Sequence, residues 1–297
     1  MEKQIKIISF MVSHWAFDKD SLKKLCECSN NATLIETHAV MLQEIEKFRT
    51  AFASYKKAAK MYLLKDAIEL PEQDDVSAAT KSLIDATQAF AKALADKELV
   101  LSLATGECRK PFVAYASDVL SSGERTMNDK AKNLQFVTER SWVSKPVLHS
   151  LIQTKSDLED AVFNMELIMT QLNDVVDMPA MERLSSCAAE SCKEGKDLLA
   201  FYRKIRDSFE DIPKGIAAIK AQIPADDATD EKIKSDVIKL VGKSCKMYAE
   251  MFRSFVGYFL LTHDGKLLNC LLDKCANPLV DTAVKALSGS QSGEIKV

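Results

Sequence analysis

THAVMLQEIEKFRTAFASYKKAAKMY, residues 37–62, sets His38, Met41, Ile45, Phe48, Phe52, Tyr55, Ala59 and Tyr62 three and four positions apart. At 3.6 residues per turn such positions fall on one side of a helix. A strand would need alternation at every second residue, and no long stretch of the chain has it. The same register recurs downstream. It runs through Leu83, Phe90, Leu94, Leu101, Cys108, Phe112, Tyr115 and Val119, then through Leu148, Leu151, Lys155, Leu158, Val162, Met165, Met169, Leu172 and Val176. A fourth stripe is Met181, Leu184, Ala188, Gly195, Leu198, Tyr202, Ile205 and Phe209. A fifth is Ile233, Val237, Leu240, Met247, Met251, Tyr258 and Leu261. Spacing of this kind, about 3.5 residues on average, belongs to long helices packed side by side at shallow angles. The expected fold class is therefore all-α, an elongated antiparallel bundle of long kinked helices with extra C-terminal helices.

Composition agrees. With nine glycines and seven prolines in 297 residues, the chain lacks the breakers that a fold of many tight β-turns would use. The few breakers give boundaries. Ser29-Asn30-Asn31 precedes the first long helix, with Asn31 or Thr33 as its cap. Pro71 with Glu72, Asp74 and Asp75 marks a turn, and Ser144 and Pro146 open the third segment. Asp177-Met178-Pro179 reads as a cap and restart, Pro213 ends the fourth segment, and 224–230 is a polar linker. Pro111 either kinks a continuous second helix or follows a helix–turn–helix boundary near Gly106. The partition expected is an N-terminal helical segment over 1–29, a bundle over 30–212, C-terminal helices over 213–287 and a flexible tail over 288–297.

Forty basic against 43 acidic residues give a formal charge of −3, so a general electrostatic attraction to nucleic acid is absent. Eight cysteines are scattered through apolar helical patterns in a chain large enough to need no staples, and the expectation is buried, reduced thiols. The apolar stretch from Met1 to Phe17 is interrupted by Lys3 and Lys6 and lacks a small-residue cleavage site, which disfavours a secretory signal. Its apolar residues lie nearly all round a helix, which suits burial better than insertion into lipid. No apolar run reaches the ~18–20 residues that span a bilayer.

Catalytic signatures are missing from the sequence. It contains four histidines and no glycine-rich phosphate loop, G-x-S-x-G elbow or H-E-x-x-H. Acid pairs such as Glu159-Asp160 and Glu44-Glu46 are ordinary on solvated helices. Cys26-x-Cys28 with His14 or His38 falls short of a four-ligand metal site. The pairs Cys187/Cys192 and Cys270/Cys275, five apart, would point to different helix faces. The expectation is a protein without enzymatic activity, cofactor or metal. Phe252, Phe255, Tyr258 and Phe259 read as core packing. Ile295-Lys296-Val297 has the form of a terminal strand for a PDZ groove.

One segment order carries a resemblance. A first long helix, about 33–69, precedes a second carrying Cys108-Arg109-Lys110-Pro111-Phe112-Val113-Ala114-Tyr115 and then a charged stretch from Arg125 to Arg140, after which 147–209 returns. This arrangement resembles the BAR-domain superfamily, crescent-shaped antiparallel dimers that bind curved membranes. The resemblance covers about 31–212. It implies a cytoplasmic, peripheral-membrane homodimer that meets anionic phospholipid through lysine and arginine, each contributing ~1 kcal/mol at a charged surface. The membrane-binding candidates it implies are Arg109, Lys110, Arg125, Lys130, Lys132, Arg140 and Lys145, with Lys56, Lys57 and Lys60 as a second basic cluster. The functional expectation is a scaffold or trafficking adaptor on membranes, or else a helical protein-interaction scaffold that touches no lipid.

Overall fold

The computed structural model describes residues 17–63, 74–139, 155–223 and 231–292, apart from the side chains of 58–63, 133–139, 174–175, 231–234 and 286–292. Among the described residues there are eleven helices and no strand. In chain order they are α1 (Asp20–Ser29), α2 (Ala32–Leu63), α3 (Asp74–Leu94), α4 (Lys97–Thr105), α5 (Arg109–Glu139) and α6 (Lys155–Val175). They continue with α7 (Met178–Ser191), α8 (Gly195–Lys220), α9 (Glu231–His263), α10 (Lys266–Lys274) and α11 (Ala276–Ser292). The all-α expectation holds.

Capping side chains set several starts. Asn31 Oδ1 accepts from the Leu34 amide at 3.0 Å, Asp96 Oδ1 from the Glu98 and Leu99 amides at 2.9 and 3.2 Å, and Asp177 Oδ1 from the Ala180 amide at 2.9 Å. Each satisfies amides that the first helical turn leaves without partners.

Three expectations need correction. The second long segment is three helices. The boundary near Gly106, one of the two readings at Pro111, is present, with the amides of Gly106 and Arg109 bonded to Ser102 and Gly106, and an unexpected further break falls at Asp96, which starts a new helix. Pro111 therefore sits in the first turn of α5, where its missing N–H has no cost. Pro213 does not end a segment but lies inside α8. Its ring is on the exposed side, while Ile212, Ile216 and Ile219 are buried and carry the helix past it. The expected tail from Ser288 is helical as far as Ser292, so the boundaries drawn at 212/213 and 287/288 fall inside α8 and α11. The breaks read at Pro71, at Ser144-Pro146 and in 224–230 lie outside the described residues, as does the terminal tripeptide.

The chain forms two compact units, Met1–Ser122 with Leu279–Val297 and Gly123–Pro278. In the first, α1, α2 and α3 share a core of Leu22, Leu25, Leu34, Met41, Ile45, Phe48, Leu83 and Phe90, with Phe112 and Tyr115 against it. In the second, α8 packs along α9 and α7. Its Leu198, Tyr202, Ile205, Ile212, Ile216 and Ile219 are buried three, four or seven apart. Phe252, Phe255 and Tyr258 of α9 are buried as expected, and Phe259 stacks on Phe255 at 6.2 Å.

Two glycines set how closely helices approach here. A Cβ on Gly195 would lie 1.8 Å from the Ala188 carbonyl oxygen, a backbone atom that cannot swing aside. A Cβ on Gly257 would meet the Phe201 ring at 2.4 Å, which a side-chain rotation can relieve. Overpacking costs ~1–3 kcal/mol, so Gly195→Ala should lower the urea midpoint more than Gly257→Ala. Equal or reversed losses would refute this account of the α7–α8 contact.

Candidate functional site

Disulfides are what sequence reasoning missed. Cys28 bonds Cys108 in the first unit, and Cys187–Cys275 and Cys192–Cys270 both join α7 to α10 in the second. The expectation of reduced thiols is overturned. That expectation rested on the chain's size and on cysteines scattered through apolar helical patterns, but Cys192 and Cys275 are not helical. Each is the residue that closes its helix, at φ −119°, ψ 146° and φ −130°, ψ 30°. Leaving the helical path lets each turn back toward the side of its helical companion, so five residues can span two rungs. Each rung links an interior cysteine of one helix to the terminal cysteine of the other. The Lys274 ammonium donates to the Ser191 carbonyl at 3.0 Å, placing positive charge where α7 leaves carbonyls unsatisfied.

Closing loops of 78 and 88 residues stabilises a fold by roughly 4–5 kcal/mol each when taken singly, in the loop-entropy account. The two rungs are nested, so once Cys192–Cys270 has formed, Cys187–Cys275 restrains only two five-residue arms and adds much less. Two cysteines stay reduced, Cys26 (buried) and Cys245 (half-buried). Burial pushes the Cys26 thiol up to about 12 and raises Cys245 as well, so neither is a ready nucleophile. No group of three or more metal-ligating side chains occurs among the described residues.

An open concavity lies in the first unit, a trough of about 1260 Å³ between α2 and α3. Its floor is apolar: Leu42, Ala51, Tyr55, Val76 and Ala79, of which Val76 is fully buried and the others half-buried. Exposed polar residues, among them Glu46, Lys47, Thr50 and Asp75, form the rim. Glu46 is bonded to Arg49 at 2.6 Å and Lys47 to Glu44 at 2.6 Å, so two rim charges are already paired. The sequence marked Tyr55 as a stripe residue. The trough itself depends on how α2 meets α3, which a single-helix pattern does not encode.

One turn before Leu42 on α2, His38 is buried against Phe90, ring centroids 5.5 Å apart. Its Nε2 has no hydrogen-bond partner, and its other ring nitrogen bonds the Phe17 backbone. Asp18 holds the same segment to α2 through Arg49 at 2.6 Å. Desolvation depresses the His38 pKa. In the second unit Tyr248 donates to the Met165 carbonyl at 2.6 Å. Burial pushes Tyr258 up to about 12, and its hydroxyl nears that of Ser185 without reaching hydrogen-bond geometry. These perturbed groups sit in cores, and none lines the trough.

The basic candidates are not one cluster. Arg109 and Lys110 belong to the first unit, and Arg125, Lys130 and Lys132 to the second. Lys110, Arg125 and Lys132 are exposed and Arg109 half-buried. Arg125 and Lys132, seven apart, share a face of α5. Lys130 is also exposed overall but projects elsewhere, with its ammonium 5.7 Å from the Phe252 ring centroid, where local desolvation lowers its pKa. Arg140 and Lys145 lie outside the described residues. In the second cluster Lys56 lies over the Phe52 ring at 5.5 Å, Lys57 is exposed, and the Lys60 side chain is not among those described.

Comparison with protein-family models, with curated proteins and with solved structures finds no match to this chain. No helix among the described residues is long and apolar enough to cross a membrane.

Two measurements follow. Alkylation of the unreduced, denatured protein should label two cysteines, Cys26 and Cys245, and digestion without reduction should return the three linked peptide pairs. Eight labelled thiols would discard the disulfide framework. For His38 the folded pKa lies below the unfolded value near 6.5, so the unfolded chain binds the extra proton first. Stability from this group is complete above the unfolded pKa and is lost as pH falls through the folded one. Urea midpoints should drop between pH 7.5 and 5, and His38→Leu should flatten that slope. An unchanged slope in the variant would assign the acid loss to other groups.

Proposed function

We propose that this chain is a non-catalytic helical binding module of an oxidising compartment, which seats an amphipathic protein segment in the trough between α2 and α3. The trough carries the reading: an apolar floor about three and a half helical turns long, from Leu42 to Tyr55 on α2, edged by polar side chains. Such a surface suits the apolar stripe of a partner helix, with its charged flanks left at the rim. Three disulfides support the compartment, since intramolecular bridges persist where thiols are oxidised and are rare in the cytosol. This departs from the cytoplasmic location expected from the sequence.

The competing proposal is the BAR-like one, a homodimer bound peripherally to anionic membrane. Its specific support is the exposed pair Arg125 and Lys132 on one face of α5. An oxidising location weighs against it, because the anionic surface that attracts basic segments belongs to the cytoplasmic leaflet.

Panning a displayed library of amphipathic helical peptides against the disulfide-bonded protein should yield binders. Their affinity should fall by about tenfold or more, which is ~1.4 kcal/mol, when Ala79→Trp fills the floor. Binders indifferent to that change would remove the trough from consideration. Sedimentation with anionic vesicles across a salt series decides the rival. Salt-sensitive binding by a dimer, abolished by Arg125→Glu with Lys132→Glu, would install the membrane reading instead.

A further inference from the structure

The turn between α1 and α2 holds a feature that neither the trough nor the disulfides use. Asn31-Ala32-Thr33 is an Asn-X-Thr triplet with X other than proline, the acceptor pattern for N-linked glycosylation in a secreted chain. No other asparagine of the sequence has serine or threonine two residues on. The pattern alone is common, and what raises it here is geometry. Asn30 ends α1 at φ 49°, in the left-handed region that asparagine tolerates. Asn31 then caps α2 with Oδ1 on the Leu34 amide at 3.0 Å, while its own amide donates to Ser29 Oγ at 3.1 Å. Ser29 in turn donates to the Cys26 carbonyl at 2.6 Å.

This division of labour within one carboxamide matters. Capping uses the oxygen, glycosylation uses the nitrogen, and Asn31 Nδ2 makes no hydrogen bond that a sugar would displace. Asn30, Ala32 and Thr33 are exposed around it, so a large hydrophilic substituent has solvent to occupy. The corner is also fixed, because Cys28, three residues before Asn31, is tied to Cys108.

We propose that Asn31 carries an N-linked oligosaccharide. The inference rests on the oxidising-compartment reading above, since the transferring enzyme and the oxidation of thiols belong to the same lumen. The donor is an oligosaccharide linked through pyrophosphate to a lipid. Nδ2 forms a bond to the anomeric carbon, the anomeric carbon–oxygen bond to pyrophosphate breaks, and the proton lost from the amide leaves with the lipid pyrophosphate. Nothing is oxidised or reduced. The Thr33 hydroxyl is the part of the triplet that the transferase requires, and it makes no contact needed for the cap.

The test is to secrete the full chain from a eukaryotic cell behind a cleavable leader and to analyse one sample in two ways. Peptide-N-glycosidase should remove a single mobility step and convert Asn31 to aspartate in the tryptic peptide. Thr33→Ala should abolish the step while α2 keeps its Asn31 cap, and Thr33→Ser should retain it. Disulfide mapping on the same sample separates the two ideas. Three linked pairs with an unmodified Asn31 would overturn the glycan and leave the compartment reading standing. Eight free thiols in the secreted chain would overturn both.

Discussion

Two helix ends laid side by side and cross-bonded hold much of the Gly123–Pro278 unit in place. Antiparallel overlap brings the last turn of α7 against the interior of α10, and the last turn of α10 against the interior of α7. Each C-terminus carries partial negative charge from carbonyls without amide partners, so bringing two together is unfavourable without compensation. The structure supplies it locally. Lys274, at the end of α10, places its ammonium on the last carbonyl of α7. The two disulfides then restrict how far the ends can separate. Gly195 follows at once, and its lack of a side chain lets α8 leave α7 at a distance that any Cβ would forbid. The long pairing of α8 with α9 starts from that corner.

Nesting of the two rungs separates their roles. The first to form restrains a loop of roughly eighty residues, and the second adds little chain entropy because the ends are already close. Its effect is local, limiting fraying at helix termini that would otherwise open readily. Cys28–Cys108 does similar work in the other unit by tying the end of α1 to the residue before α5, across a core to which α2 and α3 contribute most.

Much of this architecture was legible as sequence. His38, Met41, Ile45 and Phe48 are buried as their spacing requires, as are Leu158, Val162, Met165, Met169 and Leu172. Asp177 caps where it was expected to. The second stripe misled because a heptad register can continue through a break. Leu94 and Cys108 are both buried although two helix ends separate them. A signal was present in Asp96, whose carboxylate sits two and three residues before the amides it caps. Pro213 misled in the other direction, since a proline on the wet side of a well-buried helix loses one hydrogen bond and little else. The cysteine pairs were illegible because each joins residues 78 to 88 positions apart, whose meeting depends on how the helices pack. The trough was beyond any single-helix reading, because its walls come from two helices.

A rigid framework suits a binding surface. A trough whose floor is set by side chains of two packed helices changes little when a partner arrives, so little ordering entropy is lost on the receiving side. The floor residues are small or half-buried, and the large side chains of the same helices, Phe48 and Phe90, face the core. Small side chains, Ala51 on α2 and Ala79 on α3, are among those that line the trough. Of the three disulfides only Cys28–Cys108 belongs to the trough's unit, and neither of its cysteines is among the residues that line the trough.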